Sequence, residues 1–293
     1  MPTLHDIAAG ALLTPAEAHA LAADLHAETI AAVRARFGAS AARGSSYYQS
    51  WRHGPPVGAI VHVPALSGRS ALDGLDLSRR FMQRGGGKST HVVIDWPSGE
   101  VRICAPLVGG AWHAGKPWNH THLGIDIVSP GPVRTRKGGG WSVPHGDRPE
   151  VLLPTGDPLP DSCVVDFGGA RNRDRPWRLR HWHAVTPAQV RALGTVLRLM
   201  RMCYPDTLDP SSVIRHADIA PGRRVDPGPC VPLELVRDWG WSCEDITGAL
   251  DGLAGEEWHD WLRAQWASPV GLITDADRKL PGRPEIDRTP EIA

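Results

Sequence analysis

Two stretches of the chain have the hydrophobic spacing of helices, and both begin with the same start signal. The sequence T-P-A-E at Thr14 combines a hydroxyl N-cap, a proline at the first helical position and a glutamate three residues after the cap. It predicts a helix that runs to about Phe37 and ends at Gly38. The sequence T-P-A-Q at Thr186 predicts a second helix to about Met202. One face of this second helix is apolar, at Val190, Leu193, Leu197 and Met200.

Short apolar runs bounded by glycine and proline predict buried strands. The sequence P-S-G at 97–99, between two of these runs, predicts a hairpin turn. Helices and strands follow each other without strict alternation, so we expect an α/β fold in which helices flank a central mixed β-sheet. The predicted strands are Ala59–Val63, His91–Asp95, Val101–Ile103, Leu123–Val128 and Val213–Arg215.

Composition changes along the chain predict its domain organisation. Residues 129–180 are rich in Pro, Gly and Arg, and we expect an insertion with short strands at Val151–Leu153 and Cys163–Val165. The stretch from Leu233 to Trp266 has helical patterns, and the polar, proline-rich end of the chain is typical of a loose tail. We therefore expect an N-terminal helical extension with a linker, a central domain that contains the insertion, and a C-terminal helical extension with a tail, at 1–56, 57–240 and 241–293.

Composition and charge exclude several classes of protein. Lys+Arg and Asp+Glu both number 32, so we expect no nucleic-acid partner held by phosphate electrostatics. No stretch approaches the ~20 apolar residues of a membrane span, and the N-terminus lacks the regions of a signal peptide. The five cysteines include no C-x-x-C pair, which argues against a disulfide scaffold or a four-cysteine zinc site. We expect a cytoplasmic protein as synthesised, with release by lysis or a signal-free export route left open.

The excess of histidine and tryptophan, 14 and 12 residues, points to metal binding and ring stacking. His62 lies in the apolar run A-I-V-H-V-P, while His216 and Asp226 lie on either side of Pro221-Gly222. Two neutral imidazoles and one carboxylate can form a three-ligand catalytic zinc site whose fourth position is left for water. The alternatives are a hydrogen-bonded core histidine in the strand and a simple turn at Asp226.

The segment R-H-A-D-I-A-P-G-R-R-V-D-P-G-P closely resembles the signature G-H-x-D-I-A-P-G-R-K-x-D-P-G-P of the zinc N-acetylmuramoyl-L-alanine amidases. This family includes muropeptide-recycling amidases, phage amidases and peptidoglycan recognition proteins. The segments A-W-H-A-G, T-H-V-V-I-D-W-P-S-G-E-V and L-G-I-D-I are similar to further family segments. The resemblance spans residues 57–237 and implies zinc ligation by His62, His216 and Asp226. His91, on the predicted hairpin, is the rival candidate for the position of His62.

The resemblance also implies roles around the metal. Asp126 replaces the glutamate that serves as the base in recycling amidases, and Arg224 replaces a lysine and would stabilise the oxyanion. Thr90 stands where many phage members have tyrosine. We expect a groove for sugar or stem peptide, with packing beneath the site as the alternative role for its residues: Trp112, His113, Asn119, His122, His91 and Thr90.

The implied activity is zinc-dependent hydrolysis of the amide bond between N-acetylmuramic acid and L-alanine, in peptidoglycan or muropeptides. The substitutions at Asp126, Arg224 and Thr90 keep open a non-catalytic peptidoglycan- or muropeptide-binding protein on the same fold. The 129–180 insertion keeps open a zinc amidohydrolase with another amide substrate. A phage lysis enzyme, a recycling enzyme and an effector all agree with the sequence, which does not determine the oligomeric state.

Overall fold

The computed structural model describes most of the chain, including the whole predicted central sheet. The glycine run at 85–87, the linker residues 43–49 and the predicted tail lie outside the described residues. The described ranges are 2–42, 50–51, 53–64, 72–83, 88–144, 150–167, 180–220, 223–233, 235–237 and 250–267.

The two predicted capped helices form as expected. The Thr14 hydroxyl accepts from the backbone N–H of Glu17, whose side chain bonds back to the cap, and Gly38 ends the helix in the left-handed region at φ 92°. Thr186 and Gln189 form the same reciprocal cap. Two shorter helices near residues 4 and 74 were not expected, because they span too few turns to show a hydrophobic period. The helices are α1 (Leu4–Ala8), α2 (Pro15–Phe37), α3 (Gly74–Phe81), α4 (Pro187–Cys203), α5 (His216–Ile219) and α6 (Gly255–Ala267).

A five-stranded sheet forms the centre of the molecule, in the order β3-β2-β4-β1-β9. Strands β2, β4, β1 and β9 run parallel, and β3 pairs antiparallel with β2 through the predicted P-S-G turn. The expected α/β fold with a central mixed sheet is therefore confirmed. The strands are β1 (Gly58–His62), β2 (Val92–Ile94), β3 (Val101–Ile103), β4 (His122–Ile127), β5 (Pro132–Thr135), β6 (Trp141–Ser142), β7 (Val164–Asp166), β8 (His181–His183) and β9 (Val213–Arg215).

The two faces of the central sheet have different surroundings. Ala59 and Val61 of β1 share a buried apolar cluster with Leu193 and Leu197 of α4, so this face builds the main core. Side chains alternate along a strand, and the residues between them project from the opposite face. On that opposite face Ile60 packs in a smaller cluster with residues of the loop before β4. His62, two residues after Ile60, projects from this same face at the end of β1 and is buried.

The described part of the 129–180 region contains more strands than the sequence predicts. It contributes β5, β6 and β7 to a four-stranded antiparallel sheet, in the order β6-β5-β8-β7. The expected strand at Val151–Leu153 was wrong, since Leu152 only forms an isolated bridge with Pro158. The backbone bonds from Leu153 to Asp157 and from Leu159 to Val151 enclose a tight turn at 154–156, so the pairing is limited to this bridge. The expected strand at Cys163–Val165 appears one residue later, as β7.

Two tryptophans of α6 pack closely. Trp258 is buried, and its indole N–H donates to the carbonyl of Val185 over 2.7 Å. Its ring stacks on Trp261 at 5.0 Å between centroids. Within the described part of the chain, no helix has both the length and the apolar content needed to cross a membrane.

Candidate metal centre and active site

The carboxyl ends of the parallel strands bring the candidate site together. His62 is the last residue of β1, and Asp126 is its register partner on β4. His216 opens α5 directly after β9, which pairs with the other side of β1. In open α/β sheets this edge is where ligands bind, because side chains and loops from several strands converge there.

The loop after α5 folds Asp226 back onto His216. The backbone N–H of Ala217 donates to the carbonyl of Asp226 over 2.9 Å, and the N–H of Arg224 donates to the carbonyl of Ala220. These two bonds close the loop between residues 216 and 226. The carboxylate of Asp226 therefore faces the imidazole ten residues before it, as the spacing predicts.

Three potential ligand atoms converge at this point. His62 Nδ1 lies 2.9 Å from His216 Nδ1, and Asp226 Oδ2 lies 3.1 Å from His216 Nδ1 and 3.6 Å from His62 Nδ1. Tetrahedral zinc with bonds of 2.0–2.2 Å holds its ligand atoms about 3.3 Å apart. Two imidazole nitrogens and a carboxylate oxygen at this separation fit a zinc ion, and the set leaves a fourth position for water.

The charges in the cluster suit a bound cation. Burial raises the pKa of Asp226, but the neighbouring imidazoles of His216 and His62 outweigh that effect, and the pKa lies well below its usual range. Burial lowers the pKa of His216, against the opposing effect of its hydrogen bond to Asp226. Asp226 is thus ionised and His216 is biased toward neutral imidazole, the protonation states that a metal ligand needs.

Asp126 is a second carboxylate beside the cluster. It is buried near the carboxyl end of β4, a central strand of the sheet, and this burial raises its pKa. His62 and the hydroxyl of Thr90 lower the pKa in opposition, while the charge of Asp226 raises it further. A carboxylate whose affinity for protons is increased in this way is suited to accept a proton during catalysis.

His91 lies apart from the ligand cluster. Its Nε2–H donates to the carbonyl of Gly109 over 2.7 Å, and its Nδ1 accepts from the backbone N–H of Gly124 over 2.9 Å. Burial lowers the pKa of His91 to about 4. Both ring nitrogens are thus occupied by backbone partners, and the structure brings His62 rather than His91 to His216 and Asp226.

The residues expected to line a groove fall into two groups. Trp112 is 39% exposed beside the site, and His113 lies against His62, with its Nδ1 2.9 Å from His62 Nε2. Asn119 is buried, and its Oδ1 accepts from the backbone N–H groups of His113, Ala114 and Gly115. The side chain of Asn119 thus shapes the A-W-H-A-G loop from beneath.

The other expected residues take different positions. Thr90 is buried beside Asp126. His122 is buried at the far end of β4, in register with Gly58, while Asp126 pairs with His62 at the near end. Burial lowers the pKa of His122 to about 4. Arg224 is exposed on the ligand loop, and its charge helps to lower the pKa of His216.

Two glycines of the site were not recognised as site residues from the sequence. A Cβ on Gly124 would lie 2.7 Å from His113 Cγ, so only glycine lets that ring rest on β4. A Cβ on Gly228, two residues after Asp226, would lie 2.2 Å from the ring of Trp182 in β8. Glycine in the segments L-G-I-D and D-P-G-P was the available signal, but its packing partners are remote in sequence.

Comparisons with known proteins agree with these motifs. The family model described as N-acetylmuramoyl-L-alanine amidase matches residues 52–229. No sequence among the curated proteins matches the chain.

Several solved structures are similar at low identity. A complex of the amidase AmiD from E. coli with anhydro-N-acetylmuramic acid-L-Ala-D-gamma-Glu-L-Lys is 19% identical, with a TM-score of 0.39, and the match covers 64% of this chain and 60% of AmiD. A selenomethionine derivative of AmpD is 19% identical, with a TM-score of 0.40 and coverages of 67% and 91%. AmpDh3 from Pseudomonas aeruginosa, in complex with anhydromuramic pentapeptide, is 22% identical, with a TM-score of 0.38 and coverages of 79% and 82%.

The family match includes every part of the candidate site. His62 and His216 lie within it, as do the loop that carries Asp226 and the strand that carries Asp126. Because the match extends over more than half of the 293 residues, the chain belongs to the N-acetylmuramoyl-L-alanine amidase family.

Proposed function

We propose that the protein is a zinc-dependent amidase that hydrolyses the bond between the lactyl group of N-acetylmuramic acid and L-alanine, in peptidoglycan or muropeptides. One observation carries the proposal: the ligand atoms of His62, His216 and Asp226 lie within 4.8 Å of one another, inside the matched region. His62, His216 and Asp226 would hold the metal.

Zinc bound there would polarise the amide carbonyl and make the attacking water more acidic at neutral pH. Asp126 would take the proton from that water and deliver it to the leaving amine, because its burial raises its affinity for protons. Arg224 carries a permanent charge and cannot shuttle a proton, so its contribution is electrostatic stabilisation of the developing oxyanion. The exposed indole face of Trp112 offers a stacking surface for a sugar ring.

The test is metal-dependent cleavage of a defined muropeptide. The purified protein is freed of metal with a chelator, and release of the stem peptide is followed by mass spectrometry before and after zinc is returned. We expect activity only with zinc, and neither bound zinc nor activity in Asp226→Ala. Asp251→Ala is the matched control, because Asp251 is an exposed carboxylate whose contact is an ion pair with Arg191.

Each other outcome points to a different function. Full activity without metal, or in Asp226→Ala, contradicts the zinc mechanism. Tight binding of the muropeptide without turnover in the presence of zinc favours the non-catalytic binding protein. Zinc binding without affinity for muropeptides favours a zinc amidohydrolase with another substrate, the alternative that the 129–180 insertion keeps open.

A further inference from the structure

The second ring nitrogen of His62 points away from the three ligand atoms. His62 Nε2 lies 2.9 Å from His113 Nδ1, and the two rings meet edge to face. His113 Nε2 lies 3.1 Å from the backbone carbonyl of His122. A chain of two hydrogen bonds therefore links β4 to the candidate metal ligand on β1.

The direction of these hydrogen bonds follows from their end point. The carbonyl of His122 can only accept, so the proton of a neutral His113 is on Nε2. Nδ1 of His113 is then a bare acceptor, and the Nε2–H of His62 donates to it. A neutral His62 protonated at Nε2 has its free lone pair on Nδ1, which is the atom that faces His216 and Asp226.

The position of His113 is itself held from several sides. The side-chain oxygen of Asn119 accepts from its backbone N–H over 3.0 Å. Gly124 offers a surface without a Cβ, on which the imidazole rests. These contacts fix the ring from the loop and from the sheet, so His113 presents its acceptor to His62 in one orientation.

We propose that His113 is a positioning residue, which selects the tautomer and ring orientation that make His62 Nδ1 available to a metal. This role rests on the proposed zinc site. It differs from the groove-lining role that the sequence predicts for His113. Partners that accept the second N–H of a ligating histidine commonly change metal affinity 10–100-fold when they are removed.

The test compares substitutions that keep different parts of the imidazole. An asparagine amide oxygen lies close to the position of Nδ1, whereas a glutamine amide group reaches the position of Nε2. His113→Asn therefore keeps an acceptor for His62, while His113→Gln keeps only the contact with the carbonyl of His122. His26→Ala is the control, because His26 is a partly buried histidine bonded to the carbonyl of Ile103, with no link to the ligands.

Zinc affinity is measured by competition with a chelating dye, and the ligand field by the visible spectrum of the cobalt-substituted protein. We expect His113→Ala and His113→Gln to weaken zinc binding about 10–100-fold and to change the cobalt bands. His113→Asn should recover most of the affinity, and His26→Ala should match the wild type.

The outcomes separate this inference from the proposed function. Wild-type zinc affinity in His113→Ala, or recovery by Gln and not by Asn, overturns the role of His113 and leaves the zinc site intact. Absence of zinc binding by the wild type itself overturns the proposed function, and the inference with it. If His113→Ala does not fold, the contrast between Asn and Gln decides the question.

Discussion

Substitution of Gly228 by alanine tests how the antiparallel sheet supports the ligand loop. Gly228 is buried, has φ 70° and lies two residues after Asp226. A Cβ added there would meet two ring carbons of Trp182 at 2.2 Å. Carbon atoms in ordinary contact lie about 3.5–4.0 Å apart, so the ring or the loop must move by more than an ångström.

Two effects contribute to the expected loss of stability. A residue with a Cβ in the left-handed region costs about 1–2 kcal/mol. Overpacking in a well-packed interior costs about 1–3 kcal/mol more. We therefore expect Gly228→Ala to lower the free energy of unfolding by about 2–5 kcal/mol and to weaken zinc binding, because relief of the clash displaces Asp226.

The assay is chemical denaturation, with zinc titration of the folded protein. Gly252→Ala is the matched control, because Gly252 has φ 78° and nothing within 4 Å of an added Cβ. The control should show the backbone effect alone, with unchanged zinc affinity. Equal destabilisation by the two substitutions would refute the argument that Trp182 buttresses the ligand loop.

Three further predictions concern buried polar groups. Burial lowers the pKa of His183 to about 3, and the nearby His259 lowers it slightly further. The folded protein therefore holds His183 neutral, and this contribution to the free energy of unfolding is complete above pH 6.5. It is lost as the pH falls toward 3, by about 1.4 kcal/mol per pH unit. His183→Gln should flatten the slope of unfolding free energy between pH 6 and 4, and an unchanged slope would contradict this. His91→Ala should lower the free energy of unfolding in urea by about 2–5 kcal/mol, because two buried backbone groups lose their partner. Its zinc affinity should stay near that of the wild type. A large loss of zinc affinity would contradict the exclusion of His91 from the ligand set. Asp126→Asn should lower muropeptide turnover at least 100-fold at unchanged zinc affinity, and normal turnover would exclude Asp126 as the base.

Local signals predicted the regular elements with strong patterns. The capping boxes at Thr14 and Thr186 located α2 and α4, because the cap bonds involve residues only three apart. Most of the antiparallel sheet escaped prediction, because β5, β6 and β8 each contain a single valine or tryptophan and so form no apolar run. These strands acquire their register only by pairing.

Candidate site residues could be named from motifs, but their contacts could not. The sequence left His62 and His91 as rivals, since each is a histidine in or next to a predicted strand. The structure separates them by their partners: both nitrogens of His91 bond to backbone, while one nitrogen of His62 faces His216. Likewise His113, named from the sequence as a groove residue, rests on Gly124 of β4. The pairing of β4 with β1 brings it to His62, and no local pattern encodes that pairing.

The sequence by itself determined which chemical groups the protein has and where its strongly patterned helices and strands lie. Those properties depend on neighbours a few residues apart, so they can be read along the chain. Only the tertiary structure decided which groups meet, because parallel strands such as β1, β4 and β9 pair across 60 to 150 residues of intervening chain. The bonds that orient His62 and the ring that supports Gly228 are products of that long-range pairing.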